Sequence, residues 1–140
     1  MIDQTISHYK ILEKIGEGSM GDVYKAEDTK LKRNVALKFL SRELTCDEEA
    51  KNNFIHEART ASALDHPNIC TIHEINETKD GQLFIVMTWY DGDTLKKKTK
   101  NRTLNEYDII DIAIQIASGL QVAHLNCIIH RDIKPGNILF

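Results

Sequence analysis

A short loop near the end of the chain, His130-Arg131-Asp132-Ile133-Lys134-Pro135-Gly136-Asn137, gathers the side chains best suited to chemistry. Asp132 can accept a proton from a hydroxyl, and Lys134 can neutralise a phosphate oxygen. The side-chain carbonyl of Asn137 is a hard-oxygen ligand of the kind Mg²⁺ takes. Apolar runs flank the loop, Cys127-Ile128-Ile129 before it and Ile138-Leu139-Phe140 after it. The pattern predicts strand, polar loop, strand. Pro135 is expected to stop any helix there and removes a backbone donor. The bland alternative is a charged surface hairpin, so the weight of the reading rests on the rest of the chain.

A second phosphate signal lies near the start, in Gly16-Glu17-Gly18-Ser19-Met20-Gly21. By itself G-x-G-x-x-G is weak, since dinucleotide-binding folds also use it. Those folds need the glycines to open a helix after a strand. Here both flanks, Tyr9–Ile15 and Asp22–Glu27, alternate like strands, so the glycines are expected at a hairpin tip. Residues without a Cβ let such a backbone fold closely over phosphates; an ordinary glycine-rich turn is the alternative. Lys38 stands inside the apolar run Asn34–Leu40. A lysine there either snorkels to the surface or points at an anion, because an unpaired charge in a dry core is costly.

The elements that would position these residues follow in order. Residues 1–8 read as a lead-in, and Asp28–Arg33 as a polar turn. Thr45 with Glu48 has the capping-box spacing, predicting a helix that runs to about Leu64 with Phe54, Ala58, Ala61 and Leu64 on one face. Glu57 sits beside that face, and Asp65-His66-Pro67-Asn68 ends the helix. Ile69–Glu77 and Gln82–Met87 read as strands joined at Lys79-Asp80-Gly81, with Ile72, Ile75, Leu83, Ile85 and Met87 facing inward. The result by residue 88 is a five-stranded, mostly antiparallel sheet with one helix. Thr88–Asp93 breaks the pattern as a linker between two lobes, and a short helix follows from Thr94. Leu104–Asn126 reads as the longest helix. Part of it alternates like a strand, but Ile109, Ile112, Ala113, Ile116, Leu120 and Ala123 fit the 3.6-residue period.

The 140 residues, 41% apolar and 28% charged, suit one globular domain. A net charge of −3 does not argue for a nucleic-acid or membrane surface. The basic cluster of Lys96, Lys97, Lys98, Lys100 and Arg102 reads as a solvated helix face and loop. Cys46, Cys70 and Cys127 are odd in number and far apart, which argues against a secreted disulfide framework and for a cytoplasmic location. The six His residues form no ligand cluster, so no structural metal is expected. The first residues lack a signal-peptide pattern, and Ile109–Leu120, interrupted by Asp111 and Gln115, is too short to span a bilayer.

Together these motifs resemble the front half of a bacterial-type serine/threonine protein kinase. They are Gly16-x-Gly18-x-x-Gly21-x-Val23, the strand Val35-Ala36-Leu37-Lys38, the helix acid Glu57, and His130-Arg131-Asp132 through Asn137. The resemblance implies an α+β kinase-like fold: a five-stranded small lobe with one helix (9–88), a hinge (89–93), and the first helices and catalytic loop of a mainly helical large lobe (94–140). It implies transfer of the ATP γ-phosphate to Ser/Thr hydroxyls of proteins, with Mg²⁺. The backbone of Gly16, Gly18 and Gly21 would cover the phosphates, with Ile15 beside it. Lys38, held by an ion pair with Glu57, would contact the α/β-phosphates. Val23, Ala36 and Leu139 would sandwich the adenine, with Met87 behind it. Backbone groups of Thr88 and Tyr90 would meet its edge, and Asp93 would approach the ribose. Asp132 would take the substrate proton, Lys134 would stabilise the transferring phosphate, and Asn137 would bind Mg²⁺. Lys134, two residues after Asp132, resembles the serine/threonine branch.

The resemblance departs in one place: the chain reaches Phe140 without the family's Asp-Phe-Gly metal loop. The expectation is therefore a partial kinase domain. The alternatives are a catalytically inactive nucleotide- or partner-binding fragment and a non-functional remnant. A dinucleotide-binding oxidoreductase is a more distant one, which titration with NAD(H) beside ATP would separate.

Overall fold

The computed structural model describes residues 2–18, 21–101 and 103–140. Met1, Ser19 and Met20 in the glycine-rich tip, and Arg102 of the basic cluster, lie outside the described residues. The chain divides into two compact units, Met1–Ala63 with Thr71–Trp89, and Leu64–Cys70 with Tyr90–Phe140.

The first unit is built on an antiparallel sheet. Its strands are β1 (Thr5–Ile6), β2 (Tyr9–Gly18), β3 (Gly21–Asp28), β4 (Arg33–Phe39), β5 (Ile72–Glu77) and β6 (Leu83–Thr88). They lie in the order β1-β2-β3-β4-β6-β5. The lead-in thus supplies a sixth strand, pairing Thr5 with Lys10 and Ile6 with Tyr9. Two residues are too few for alternation to show in a sequence.

Alternation along the longer strands sorts the side chains between two faces. Tyr9, Ile11, Tyr24, Ala26, Val35, Leu37, Phe39, Phe84 and Val86 form a buried cluster on one face. Leu40, Leu83 and Ile85 on the other face pack with Phe54 and Ala58 of the helix. β6 is therefore buried on both sides. The predicted inward set took only its alternate residues and missed Phe84 and Val86, which fill the opposite core.

Helix α1 (Arg42–Thr45) precedes α2 (Glu48–Ser62). The predicted capping box is not used. Thr45 ends α1, where its Oγ1 donates to the carbonyl of Ser41. Asp47 caps α2, accepting from the amides of Glu49 at 2.9 Å and Ala50 at 3.2 Å. Asp47→Ala should cost about 0.5–2 kcal/mol in a denaturant titration. A larger loss from Thr45→Ala than from Asp47→Ala would reverse that assignment. The polar turn after β3 has its own organiser: buried Asp28 accepts the amides of Lys30 and Leu31, each at 3.0 Å. The Leu31 amide is the main cause holding its carboxyl below the usual range.

In the second unit, α3 spans Leu95–Asn101, α4 spans Glu106–Leu125, and a 3₁₀ turn spans Pro135–Asn137. Asn105 caps α4 by accepting from the amide of Asp108 at 2.9 Å. Residues 64–70, predicted to belong with the small lobe, pack instead in this unit. Asn68 Nδ2 donates to Gln115 Oε1 at 3.0 Å, and Ser118 Oγ lies 3.3 Å from His66 Nε2. A Cβ on Gly119 would stand 3.0 Å from the Asn68 carbonyl. Turn residues mark where α2 stops, not which body the next loop joins. The apolar side chains of Tyr107, Ile109, Ile110 and Ile114 on α4 are exposed. No helix among the described residues is long and apolar enough to cross a membrane.

Candidate functional site

The chemistry-bearing loop begins after α4, where Cys127 takes a left-handed conformation (φ 59°). The strands expected on either side of it do not form as elements. Residues 127–129 are in no strand, and Leu139 makes only an isolated bridge with Thr94. Main-chain bonds anchor the loop's far end: Leu95 N–H donates to Ile138 at 2.8 Å, and Phe140 N–H donates to Asp93 at 3.0 Å. Pro135 does not exclude a helix, as the sequence suggested. It opens the 3₁₀ turn, where its fixed φ fits and no amide is needed.

That turn carries Asn137 back onto Asp132. Asn137 Nδ2 donates to both Asp132 Oδ2 and the Asp132 carbonyl, each at 2.9 Å. Lys134 Nζ lies 3.0 Å from Asp132 Oδ1, and the Asp132 amide donates to His130 Nδ1 at 3.2 Å. Arg131, between them, has φ 63°, a left-handed conformation that costs a non-glycine residue about 1–3 kcal/mol. The loop thus presents one carboxylate with each oxygen oriented by a different donor. From the sequence, His130 is named in the motif but assigned no role, and Asn137 is given no part in orienting Asp132; the close spacing of His130, Asp132 and Asn137 is the available signal.

The Lys134 ammonium first, then the Asn137 amide, hold the Asp132 carboxyl below the usual carboxylate range. It is therefore ionised at neutral pH and takes up a proton only as the pH falls through its lowered pKa. Lys134→Met should move the Asp132 titration up toward the ordinary range, read by carboxyl ¹³C NMR. An unmoved titration would show that Lys134 does not hold it down.

The first unit carries the other candidates on one sheet face. Cross-strand pairing sets two rows. Gly16, Val23, Lys38 and Ile85 are consecutive partners across β2, β3, β4 and β6. Glu13, Lys25, Ala36 and Met87 form the next row. Directly paired residues point to the same side. Val23, Ala36, Lys38 and Met87 therefore share a face, the one against which α2 packs through Ile85. Gly18 pairs with Gly21 to close the hairpin, so the glycines open no helix. A Cβ at Gly16 would meet only Val23, at 3.6 Å, leaving the face open there. At Gly21, φ is 143° and a Cβ would stand 1.7 Å from the Phe39 carbonyl, so this position requires glycine. Ile15 occupies the register shift between Lys14 and Gly16 and is exposed. Thr88 ends β6, its Oγ1 3.1 Å from His73 Nε2.

The expected Lys38–Glu57 ion pair is absent from the ion pairs of the described residues, and Glu57 lies exposed on α2. An exposed pair gains only about 0–1 kcal/mol, too little to fix two long side chains without a further charge between them. Tyr90, Asp93, Asn137 and Leu139 belong to the second unit. Asp93 is exposed and lies 3.9 Å from Lys97.

The donor set for a cation is sparse. No group of three His, Cys, Asp or Glu that could hold a metal occurs among the described residues. Asn137 does fit as a single ligand: its Nδ2 is committed to Asp132, which turns Oδ1 toward other partners.

Residues 9–140 match the family model "Protein kinase domain". The serine/threonine-protein kinase PrkC of Bacillus subtilis is 45% identical over 141 residues, covering 99% of this chain and 22% of that protein. A probable serine/threonine-protein kinase of Clostridium acetobutylicum is 46% identical, with 99% of this chain and 21% of the relative covered. Among solved structures, the Mycobacterium tuberculosis PknI kinase domain superposes with a TM-score of 0.86 at 30% identity, covering 99% of this chain and 56% of that one. The chain thus spans about a fifth of the length of these curated relatives.

Proposed function

The chain belongs to the protein kinase family, as the N-terminal part of a bacterial serine/threonine kinase domain, and from that premise we propose that it binds ATP and acts in transferring the γ-phosphate to Ser/Thr hydroxyls of a protein. The observation that carries the proposal is the Asp132 carboxylate, held between Lys134 and Asn137.

In this reading Asp132 receives the hydroxyl hydrogen of the substrate and aims the oxygen. A carboxylate with a lowered pKa is a weak base, which suits phosphoryl transfer. Its transition state is loose, and the nucleophile needs orientation more than early deprotonation. Lys134 has an exposed ammonium that can leave one carboxylate oxygen for the transferring phosphate as charge develops. Lys38 and the backbone of Gly16, Gly18 and Gly21 line the sheet face that receives the other phosphates, and Glu57 pairs with Lys38 when they are bound. Within the first unit, Val23, Ala36 and Met87 supply the apolar surface for the adenine. The backbone of Thr88 and Tyr90 meets the adenine edge, Asp93 meets the ribose, and Ile15 covers the nucleotide beside Gly16. Mg²⁺, when bound, would neutralise phosphate charge, with Asn137 Oδ1 as a ligand from this chain.

The donor set favours a second reading as well. No group of three His, Cys, Asp or Glu among the described residues could hold a metal, which suits nucleotide binding without transfer. A thermal shift assay paired with a phosphotransfer assay tests both. At ATP near 100 times its Kd, the unfolding midpoint should rise by the equivalent of about 2.7 kcal/mol. Lys38→Met should remove most of that rise. No rise with ATP and Mg²⁺ would sink both readings; a rise without transfer, in protein expressed from its complete gene, would leave only the second.

A further inference from the structure

Lys25 and Trp89 make a contact that none of the proposed roles uses. Lys25 Nζ lies 4.7 Å from the centroid of the Trp89 ring. Its stem runs on the same sheet face as Ala36 and Met87, in the row that those residues share. The same ammonium stands 3.7 Å from Glu13 Oε1, directly across on β2. The Lys25 side chain is only 22% exposed, so much of its stem is covered while its ammonium reaches the indole. Trp89 is the residue at which the chain leaves β6, immediately after Thr88.

We infer that Lys25 is a positioning residue for the adenine edge. With Glu13 fixing its ammonium, it clamps the Trp89 ring onto the sheet and so sets the direction in which the Thr88–Trp89 backbone leaves β6. The inference rests on the ATP-binding reading above. The clamp suits the task because backbone hydrogen bonds to a base depend on the peptide's orientation, and nothing on the linker's own side chains is needed to make them. Holding that segment beforehand spares the nucleotide the cost of ordering it. Two lysines on one face thereby take separate roles. Lys38 serves the phosphates, whereas Lys25 acts through Trp89 on the base.

Adenosine is the discriminating probe, since it carries the base and no phosphate. Binding of adenosine and of ATP with Mg²⁺ is measured by calorimetry on the protein and on Lys25→Met, Lys25→Arg and Trp89→Phe. Lys25→Met should weaken both ligands about 3–10-fold, and Trp89→Phe should weaken both less, because a phenyl face keeps part of the attraction that indole gives a cation. Lys25→Arg should restore wild-type affinity, a guanidinium being able to lie over the same ring. If Lys25→Met and Trp89→Phe both leave adenosine affinity unchanged, the inference is overturned, even where ATP weakens through lost attraction to its phosphates. A wild-type protein that binds neither ligand overturns the ATP reading itself, and the inference with it.

Discussion

Asp132→Asn, made in the protein expressed from its complete gene, should lower phosphotransfer turnover by about 10²–10⁴, the usual range for a positioned acid–base group. The substitution preserves shape and removes only the charge and the acceptor capacity of one oxygen. Lys134, 3.0 Å away, loses its ion-pair partner, and Asn137 must donate to an amide in place of a carboxylate. ATP affinity should stay within about twofold, because the nucleotide is assigned to other residues and an interaction made only in the transition state lowers kcat rather than binding. Stability should move little: the Asp132 side chain is half exposed, and surface changes usually fall within about 0.5 kcal/mol. Turnover equal to wild type would remove Asp132 from the proton-accepting role, while turnover and ATP affinity falling together would point to a damaged fold.

Phe84→Ala should lower the stability of the first unit by about 3–5 kcal/mol, measured by urea or guanidinium titration. Phe84 is fully buried as the second residue of β6. Its ring stacks on Phe39 at 5.2 Å and meets Tyr9 edge-on at 6.4 Å. Val86, Leu37 and Val35 belong to the same buried cluster. Truncation leaves a cavity between strands held in register from both sides, so the site cannot collapse to fill it. Against a typical total of about 5–15 kcal/mol, such a loss takes a large share of the stability. Ile109→Ala, on the exposed side of α4, is the control and should cost under about 0.5 kcal/mol. A loss below about 1 kcal/mol at Phe84 would mean that this face of the sheet is not tightly packed.

Much of the positioning was legible in the sequence because it depends on local periodicity. Alternation in Tyr9–Ile15 and Asp22–Glu27 placed the glycines at a hairpin tip, and the helical spacing of Phe54 and Ala58 found the buried face of α2. Lys38 stands out as a charge in an apolar strand, and four motifs in order identify the kinase family. The rest depended on which segments meet. Asp47 rather than Thr45 caps α2, because Ser41 starts a separate turn of helix that claims Thr45 first. Phe84 and Val86 are core residues because β6 lies inside the sheet and under α2, and a single strand's pattern does not reveal whether both its faces are covered. Pro135 opens a helical turn instead of closing one, since its fixed φ fits either and only the path of the chain chooses. Residues 64–70 join the second unit through Asn68 and His66, whose partners on α4 lie about fifty positions away in sequence. Residue types and spacing thus determined the family, the longer strands of the first unit's sheet and the candidate chemistry. Tertiary structure decided the caps, the two-sided burial of β6, the absence of a Lys38–Glu57 ion pair among the described residues, and the orientation of Asp132. Each of these depends on atoms brought together from separate parts of the chain or on a backbone path that residue types leave open.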